Sequence, residues 1–384
     1  MDISPLRPVT LELSGDRILA TYHLTGDADR TAAVLAQLVV EQTIEFPPDL
    51  VPDDDITRHI IGQVESTTVL DDHHLEARVS YAAEVAGGQL PQLTNVLFGN
   101  ISLVPGVRLV GLELPPAFLA TLPGPRLGIE GLRARFTPTG GPLLATALKP
   151  MGTPVDALAA MAYDLAFNGL HLVKDDHSFA TQPFSTFRDR VPVLADAIRR
   201  ANADRGEDAS VYLPALNLPA HEVRDGVELA LEAGAGGLLI LPGLVGHDTM
   251  RWIAATVPDD VVIMAHPSFL GSHVTDPDGG VAHGLLLGTF ARLAGADVTI
   301  FPNHGGRFSF TPEACLEIAE ACRAPLGDLR TAFPAPGGGM TVERVPEMLD
   351  FYGEDVCLLI GGNLYRGDIP TQVRRMTTAI EEAR

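Results

Sequence analysis

Residues 143–169 read LLATALKPMGTPVDALAAMAYDLAFNG, and this stretch contains the unit that is repeated through most of the chain. An apolar run, residues 143–148, ends in a turn that begins at Lys149, and a helical segment follows and stops at Gly169. Glycine just past a helix supplies a left-handed cap at little cost. A buried strand followed by such a helix is the unit of parallel α/β folds.

The same unit recurs to the end of the chain. Eight apolar runs alternate with helical segments over about 240 residues, which is the size of a (β/α)₈ barrel. A doubly wound open sheet is the competing fold, but eight nearly even units favour a closed barrel. The runs are residues 143–148, 170–173, 211–216, 237–241, 261–264, 298–301, 331–333 and 356–360, and the helix-stop glycines are Gly169, Gly234, Gly295 and Gly353.

The first part of the chain lacks this repeat. Residues 1–125 predict a small α+β domain of ferredoxin-like type, the Gly- and Pro-rich residues 126–141 a linker, and residues 142–384 the catalytic barrel. Within the small domain we expect strands at residues 9–13, 18–23, 66–69 and 75–80, and helices at residues 31–42 and 90–97.

The composition excludes several classes of protein. A net charge of −22 argues against nucleic acid or an anionic membrane as the main partner. No apolar run is long enough to span a bilayer, and residues 1–10 lack a signal-peptide pattern, so we expect a cytoplasmic protein. The three cysteines, Cys315, Cys322 and Cys357, have no metal-binding spacing and fit a reducing compartment.

Lysine is almost absent from the chain. Only two of the 27 basic residues are lysines, Lys149 and Lys174. Arginine replaces lysine as a surface charge, but it cannot supply a neutral amine, a carbamate or a Schiff base. Both lysines close an apolar run, so in a barrel both lie at the carboxyl ends of strands, where barrels place their catalytic groups. Codon bias is the alternative explanation, and it does not account for this shared location.

The second lysine opens the most informative segment, Lys174-Asp175-Asp176-His177. Alternation along a strand sends Lys174 and Asp176 to the same side, and His177 can reach them from the turn. This group is either a structural ion-pair cluster or a cation site. In the second case a carbamate on Lys174 would provide the hard oxygen ligands that Mg²⁺ prefers.

Further candidate residues follow other strands. His266, after the fifth run, is either a packed residue at the rim or a catalytic one. The sixth run leads into Asn303, His304, two glycines and Arg307. Glycine pairs follow the seventh and eighth runs, where barrels bind phosphate through backbone N–H groups. These pairs, Gly337 with Gly338 and Gly361 with Gly362, predict a phosphorylated substrate.

With these motifs the chain resembles the RuBisCO-like proteins, form IV of the RuBisCO large-chain family, over nearly its whole length. Lys149-Pro150 resembles the family's active-site Lys-Pro, and residues 174–177 resemble its Lys-Asp-Asp-Glu. The resemblance implies that Lys174 is carbamylated, that Lys174, Asp176 and His177 hold Mg²⁺, and that Lys149 and His266 are catalytic. It places substrate or phosphate at Asn303, His304, Arg307, Gly337, Gly338, Gly361 and Gly362.

The resemblance also has consequences for assembly. Glu41 and Asn100 match residues of the small domain that reach into the active site of a partner subunit. The expected state is therefore a homodimer, or an oligomer built from dimers, with shared active sites.

Four departures from the family pattern restrict the reaction. His177 replaces a glutamate, and Arg307 replaces the lysine of the closing loop. Pro267 and Pro336 replace an arginine and a serine. These changes argue against fixation of CO₂ on ribulose bisphosphate.

The Lys-Asp-Asp-His variant resembles a branch that degrades branched sugar acids. It implies decarboxylation or carboxyl transfer of a phosphorylated 3-oxo acid of the 3-oxo-isoapionate 4-phosphate type through an Mg²⁺-stabilised enediolate. Three alternatives stay open: an enolase or isomerase of a methylthio-ketose 1-phosphate, a class I aldolase with a lysine Schiff base, and a catalytically silent binding barrel.

Overall fold

A computed structural model of the chain describes residues 8–384, which group into two compact units. One unit holds the residues up to Leu122 together with Leu270–Leu286, and the other holds Pro123–Phe269 and Leu287–Arg384. Residues 1–7, part of the segment expected to lack a signal peptide, lie outside the described residues. No helix between residues 8 and 384 is long and apolar enough to cross a membrane.

The first unit is built on a five-stranded sheet. Its central strand pairs antiparallel with two neighbours. One neighbour pairs antiparallel with a further strand, and the other pairs parallel with a two-residue strand from the later segment. The strands in chain order are β1 (Arg17–Thr25), β2 (Gln63–Asp71), β3 (His74–Ala82), β4 (Val107–Glu113) and the later β10 (Gly280–Val281), and the helices are α1 (Ala28–Glu41), α2 (Leu90–Phe98) and the short α3 (Pro116–Leu119). This confirms the predicted α+β unit.

Two features of this unit differ from the sequence-based expectation. The strand expected at residues 9–13 is wrong, because the backbone N–H groups of Val9 and Leu11 donate to the carboxylates of Asp54 and Asp55 rather than to a neighbouring strand. Strand β4, which was not expected, contains Gly111, and a glycine inside a strand weakens the sequence signal.

The second unit is a closed barrel of eight parallel strands. Its order is β7-β6-β5-β13-β12-β11-β9-β8, and the ring closes where Leu216 N donates to Leu239 O (2.9 Å) and Leu239 N donates to Pro214 O (2.9 Å). The strands are β5 (Leu143–Leu148), β6 (Leu172–Asp175), β7 (Val211–Leu213), β8 (Gly237–Ile240), β9 (Val262–Ala265), β11 (Val298–Pro302), β12 (Phe333–Gly337) and β13 (Cys357–Leu359). The predicted (β/α)₈ barrel is confirmed.

Helices connect the strands, and most of them cover the outside of the barrel. The four glycines predicted to stop helices all have positive φ, as a left-handed cap requires. The three cysteines are free and buried. The helices are α4 (Gly128–Phe136), α5 (Val155–Phe167), α6 (Phe187–Arg205), α7 (Val223–Glu232), α8 (Pro242–Val245), α9 (His247–Thr256), α10 (Phe290–Leu293), α11 (Pro312–Arg323), α12 (Val345–Tyr352) and α13 (Ile369–Ala383).

Helix α4 closes the amino-terminal end of the barrel. It lies inside the stretch that the sequence predicts to be a linker, and Ile129, Leu132 and Phe136 join the side chains that fill the barrel. The buried carboxylate of Asp297, just before β11, accepts the backbone N–H groups of Leu127 and Gly128, both at 2.8 Å. With this end sealed, the opposite end, where the strands finish, is the open mouth.

Candidate active site at the carboxyl end of the barrel

The two lysines lie side by side at the mouth. Strands β5 and β6 pair in parallel, with Ala147 opposite Lys174 and Leu148 opposite Asp175. Lys149 therefore follows β5 at the level where Asp176 follows β6, and its ammonium pairs with Asp176 Oδ2. Burial alone would raise the pKa of Asp176, but hydrogen bonds from Lys149 and Ser178 outweigh it and hold that pKa well below its ordinary value.

Lys174 is a buried amine. Its side chain is nearly inaccessible, and Nζ donates to the carbonyl of Asp175 at 3.0 Å. Burial lowers the pKa of Lys174 to about 8, and nearby Asp176 opposes that shift. A part of this amine is therefore neutral near neutral pH, and the neutral amine is the form that reacts with CO₂ to give a carbamate.

Asp175 faces away from the mouth and anchors the strand. Its carboxylate accepts from Arg190 (3.2 Å), the Tyr212 hydroxyl (2.7 Å) and the backbone N–H of Ala215 (3.2 Å). Arg190 comes from α6 and Tyr212 from β7, and the side chains of Asp175 and Arg190 are fully buried. This network fixes the end of β6, so Lys174 and Asp176 both face the mouth.

Two histidines stack beside the lysines. The rings of His177 and His266 lie 4.5 Å apart between centroids and are within 13° of parallel. His177 Nδ1 lies 3.3 Å from Asp176 Oδ1. Burial lowers the pKa of both histidines, and Lys174 adds to the effect. The stack brings the loop after β6 against the loop after β9, so the predicted metal and catalytic residues form one cluster.

The donor set can be compared with what Mg²⁺ needs. Among residues 8–384 no group of three His, Cys, Asp or Glu side chains is arranged to hold a metal ion. Asp176 Oδ2 is buried, and its partner in the described part of the chain is the Lys149 ammonium, so a metal ion that bound this oxygen would take the place of that ammonium. Asp176, His177 and a carbamate on Lys174 would fit Mg²⁺, whereas the unmodified amine would not.

The loop after β11 is less open than the sequence suggests. Asn303 is buried: its Oδ1 accepts from the Tyr352 hydroxyl (2.6 Å), and its Nδ2 lies 3.3 and 3.1 Å from the sulfurs of Met340 and Met348. In this conformation the amide is occupied, and its role in substrate binding stays a prediction.

The two other predicted residues of this loop differ in exposure. His304 packs its ring 4.6 Å from that of Phe351, and its buried Nε2 has no hydrogen-bond partner between residues 8 and 384. Arg307 is exposed and stacks over Phe308, and its charge contributes to the lowered pKa of His177. Arg307 is therefore the loop cation that acts on the mouth.

The glycine turns present open backbone. A methyl group built on Gly338, Gly361 or Gly362 would meet no atom within 4 Å, whereas one on Gly337 would touch Leu359. The Asn363 amide donates to the carbonyl of Met340 at 2.8 Å and so connects the two turns. An anion can approach the backbone closely here, which supports the prediction of phosphate binding without testing it.

The remaining predicted residues lie in the first unit. Asn100 Nδ2 donates to Glu41 Oε1 at 2.9 Å, and both side chains are on the surface of that unit.

Two residues that support the mouth could not be predicted from the sequence. They are Tyr365, which donates to the carbonyl of Ala147 at 2.8 Å, and Ser268, which contacts His266. Neither has a sequence signal, because each acts through a backbone group or a turn.

Comparison with known proteins finds a matching family and relatives that cover most of the chain. Residues 128–305 match the catalytic domain of the ribulose bisphosphate carboxylase large chain. Over 349 residues, covering 91% of this chain and 93% of the relative, the chain is 41% identical to ribulose bisphosphate carboxylase-like protein 1 of Rhodopseudomonas palustris. It is 38% identical to the 5-methylthioribulose-1-phosphate isomerase of Rhodospirillum rubrum, with 91% of each chain covered.

A solved structure agrees with these relatives. The crystal structure of a Rubisco-like protein from Rhodopseudomonas palustris matches the present structure with a TM-score of 0.85 at 36% identity. The match covers 96% of this chain and 99% of the crystallised one.

Proposed function

The chain belongs to the RuBisCO-like proteins of the ribulose bisphosphate carboxylase large-chain family, and on this basis we propose that it is an isomerase or enolase of a methylthio-ketose 1-phosphate. One observation carries the proposal: the Lys149–Asp176 ion pair lies at the mouth beside two stacked histidines and near open glycine turns. A cationic amine paired with a carboxylate can hold and release a proton next to a bound carbonyl.

The proposed reaction moves a proton on the carbon skeleton of the substrate. The glycine turns at residues 337–338 and 361–362 hold the phosphate, and the carbonyl points toward Lys149. Lys149 removes a proton from the carbon next to the carbonyl, the enediolate forms, and the proton returns to a different atom of the substrate. An ammonium cannot accept a proton, so in this step Lys149 acts as the neutral amine.

A Mg²⁺ ion belongs to the proposal. Asp176, His177 and a carbamate on Lys174 would hold it, and when bound it would stabilise the negative charge that develops on the substrate oxygens. Because the carbamate also neutralises the Lys174 cation, it would leave Lys149 as the only lysine charge in the cluster.

The sequence alone favours a decarboxylase of a 3-oxo-isoapionate 4-phosphate type substrate, but the comparison favours the isomerase or enolase. A relative that matches 91% of the chain is named as an isomerase of a methylthio-ketose phosphate.

The experiment is to incubate the protein with 5-methylthioribulose 1-phosphate in D₂O and to follow the carbon-bound protons by NMR. We expect deuterium to enter next to the carbonyl without release of CO₂. Lys149→Met should lower the exchange rate by about 100-fold or more, because it removes the proton carrier. Lys149→Arg keeps the positive charge beside Asp176, so it separates loss of the ion pair from loss of proton transfer.

Other outcomes would identify the alternatives. CO₂ released from a phosphorylated 3-oxo acid, without proton exchange on the ketose phosphate, would establish the decarboxylase instead. Borohydride trapping of substrate on a lysine, insensitive to EDTA, would establish a class I aldolase. Binding of sugar phosphate with no turnover of any of these substrates would leave a binding protein.

The active site is proposed to be shared between subunits. Glu41 and Asn100 hydrogen-bond to each other on the surface of the first unit, so they are available to a partner subunit. In this arrangement each barrel receives these two residues from the other chain of a homodimer.

A further inference from the structure

His266 is held by a short turn of unusual composition. Strand β9 ends at Ala265, and the backbone N–H of His266 still donates into the barrel, to Ile240 O at 2.8 Å. The next residue, Pro267, has no N–H. The first free backbone donor is therefore that of Ser268, and it donates to His266 Nδ1 at 3.2 Å, with Ser268 Oγ 3.0 Å from the same nitrogen.

This contact decides which ring nitrogen carries the proton. A backbone N–H can only donate, so Nδ1 must offer its lone pair. A neutral imidazole carries one N–H, which then has to be on Nε2. Of the two tautomers of the neutral ring, the turn therefore selects the one with the proton on Nε2.

The surroundings also fix the orientation of the ring. One face of the His266 imidazole is covered by the ring of His177 at 4.5 Å. Phe269, the residue after Ser268, has φ +71° and turns the chain back although it is not a glycine. Such strained backbone persists where neighbouring contacts over-determine it, and it is concentrated at functional sites. Imidazole nitrogens form hydrogen bonds in the plane of the ring, so with Nδ1 occupied the ring acts through Nε2.

We propose that Ser268 is a positioning residue that fixes His266 as the Nε2–H tautomer, so that His266 donates a hydrogen bond to the oxygen that becomes negative during the reaction and does not accept the proton. The catalytic half of this inference rests on the proposed enediolate chemistry, whereas the tautomer half does not. A neutral donor of this kind stabilises an enediolate without giving up its proton. Proton transfer is then left to Lys149.

The tautomer is measured directly by ¹⁵N NMR of protein labelled at its histidine rings. His266→Gln identifies the His266 signals among the 12 histidines by their loss. We expect a proton on Nε2 and an unprotonated, hydrogen-bonded Nδ1. Ser268→Ala should shift the Nδ1 resonance, because one donor is lost, and Ser268→Thr should restore it. A proton found on Nδ1 would overturn the proposal, and so would an Nδ1 resonance that is unchanged in Ser268→Ala.

Kinetics test the donor role separately. Glutamine places an N–H donor near the position of Nε2, whereas asparagine does not reach it. We expect His266→Gln to keep kcat within about tenfold and His266→Asn to lose about 100-fold or more, the usual effect of removing one donor to a developing oxyanion. Equal losses in both variants would mean that His266 is a base. If the parent protein turns over no ketose phosphate, the proposed function fails, and the NMR result still decides the tautomer.

Discussion

Lys174 combines two properties that rarely occur together, complete burial and a reactive amine. Its pKa is lowered to about 8 by burial, and it has Asp176 as a neighbour and the Asp175 carbonyl as its hydrogen-bond partner. We predict that ¹³C-labelled bicarbonate with Mg²⁺ gives a carbamate resonance in the NMR spectrum of the protein. Because the chain has only two lysines, the signal can be assigned by substitution.

Two variants decide the assignment. Lys174→Gln should abolish the carbamate signal, and Lys149→Gln, the matched control, should retain it. Dialysis against EDTA without bicarbonate should weaken the signal, because the cation stabilises the negatively charged group. If the signal were lost only in Lys149→Gln, the carbamate would be on Lys149, and Lys174 would not be a ligand of Mg²⁺.

The environment of His171 predicts how the stability of the folded chain depends on pH. Its Nδ1 accepts the backbone N–H of Leu144 at 3.1 Å, its ring stacks on Phe136, and burial lowers its pKa to about 4. Between pH 6.5 and 4 the unfolded chain binds a proton at this residue that the folded chain does not. Stability therefore falls as the pH falls through this window, by up to about 3 kcal/mol from His171 alone.

The contribution of His171 is isolated by urea unfolding at pH 8, 6 and 5. His171→Asn keeps an acceptor near Nδ1 and cannot titrate, so it should lose less stability toward pH 5 than the parent does. His221→Asn, at an exposed histidine, should keep the parent's pH dependence. The hypothesis is wrong if the parent and His171→Asn lose stability in parallel.

At the scale of the element, β6 depends on the buried charge network behind it. Removing Arg190 leaves the carboxylate of Asp175 buried and without its counter-charge. We predict that Arg190→Met lowers the free energy of unfolding by about 3–5 kcal/mol. Tyr212→Phe, which removes one neutral donor to the same carboxylate, should cost about 1–3 kcal/mol.

The same helix offers the control. Arg199 on α6 pairs with Asp196 at the surface, so Arg199→Met should change stability by at most about 1 kcal/mol. Adding Asp175→Asn to Arg190→Met should recover part of the loss, because the uncompensated charge is removed. If Arg190→Met were no worse than Arg199→Met in urea unfolding, the network would not stabilise β6.

The strands and helices also show how much of the fold can be predicted from the sequence. Strand β5 was predicted to the residue because it is one continuous apolar run, whereas β12 was placed too early because its sequence, Phe-Pro-Ala-Pro-Gly, has the composition of a turn. The sequence gives no signal for helix α4, because glycines and prolines surround it and its apolar side chains find their partners only in the barrel. Local pattern predicts an element well where burial is continuous along the chain.

The candidate site divides in the same way. Lys149, Lys174 and Asp176 could be predicted because strand alternation and barrel geometry determine where they point. The burial of Asn303 could not be predicted, since it depends on Tyr352 and two methionines that are 37 to 49 residues away in sequence. Positions set by the backbone of one strand were predictable, and those set by packing between distant loops were not.

For the molecule as a whole, substrate binding depends on where the charges lie as well as on the net charge. The net charge of −22 repels an anionic substrate from most of the surface. The mouth of the barrel differs, since the charges of Lys149 and Lys174 act on both His177 and His266, and that of Arg307 acts on His177. A phosphorylated substrate would therefore meet positive charge at the end of the barrel that also carries the glycine turns.

The proposal that Glu41 and Asn100 complete the active site of a partner subunit can be tested with a dimer of two different variants. Lys149→Met and Glu41→Ala should each be nearly inactive as homodimers. In a heterodimer of the two, purified through two different affinity tags, one active site combines both defects and the other has neither. The heterodimer should therefore have about half the activity of the parent dimer, as two-fold symmetry requires. If each site were built within one chain, both sites would stay defective and the heterodimer would be as inactive as its parents.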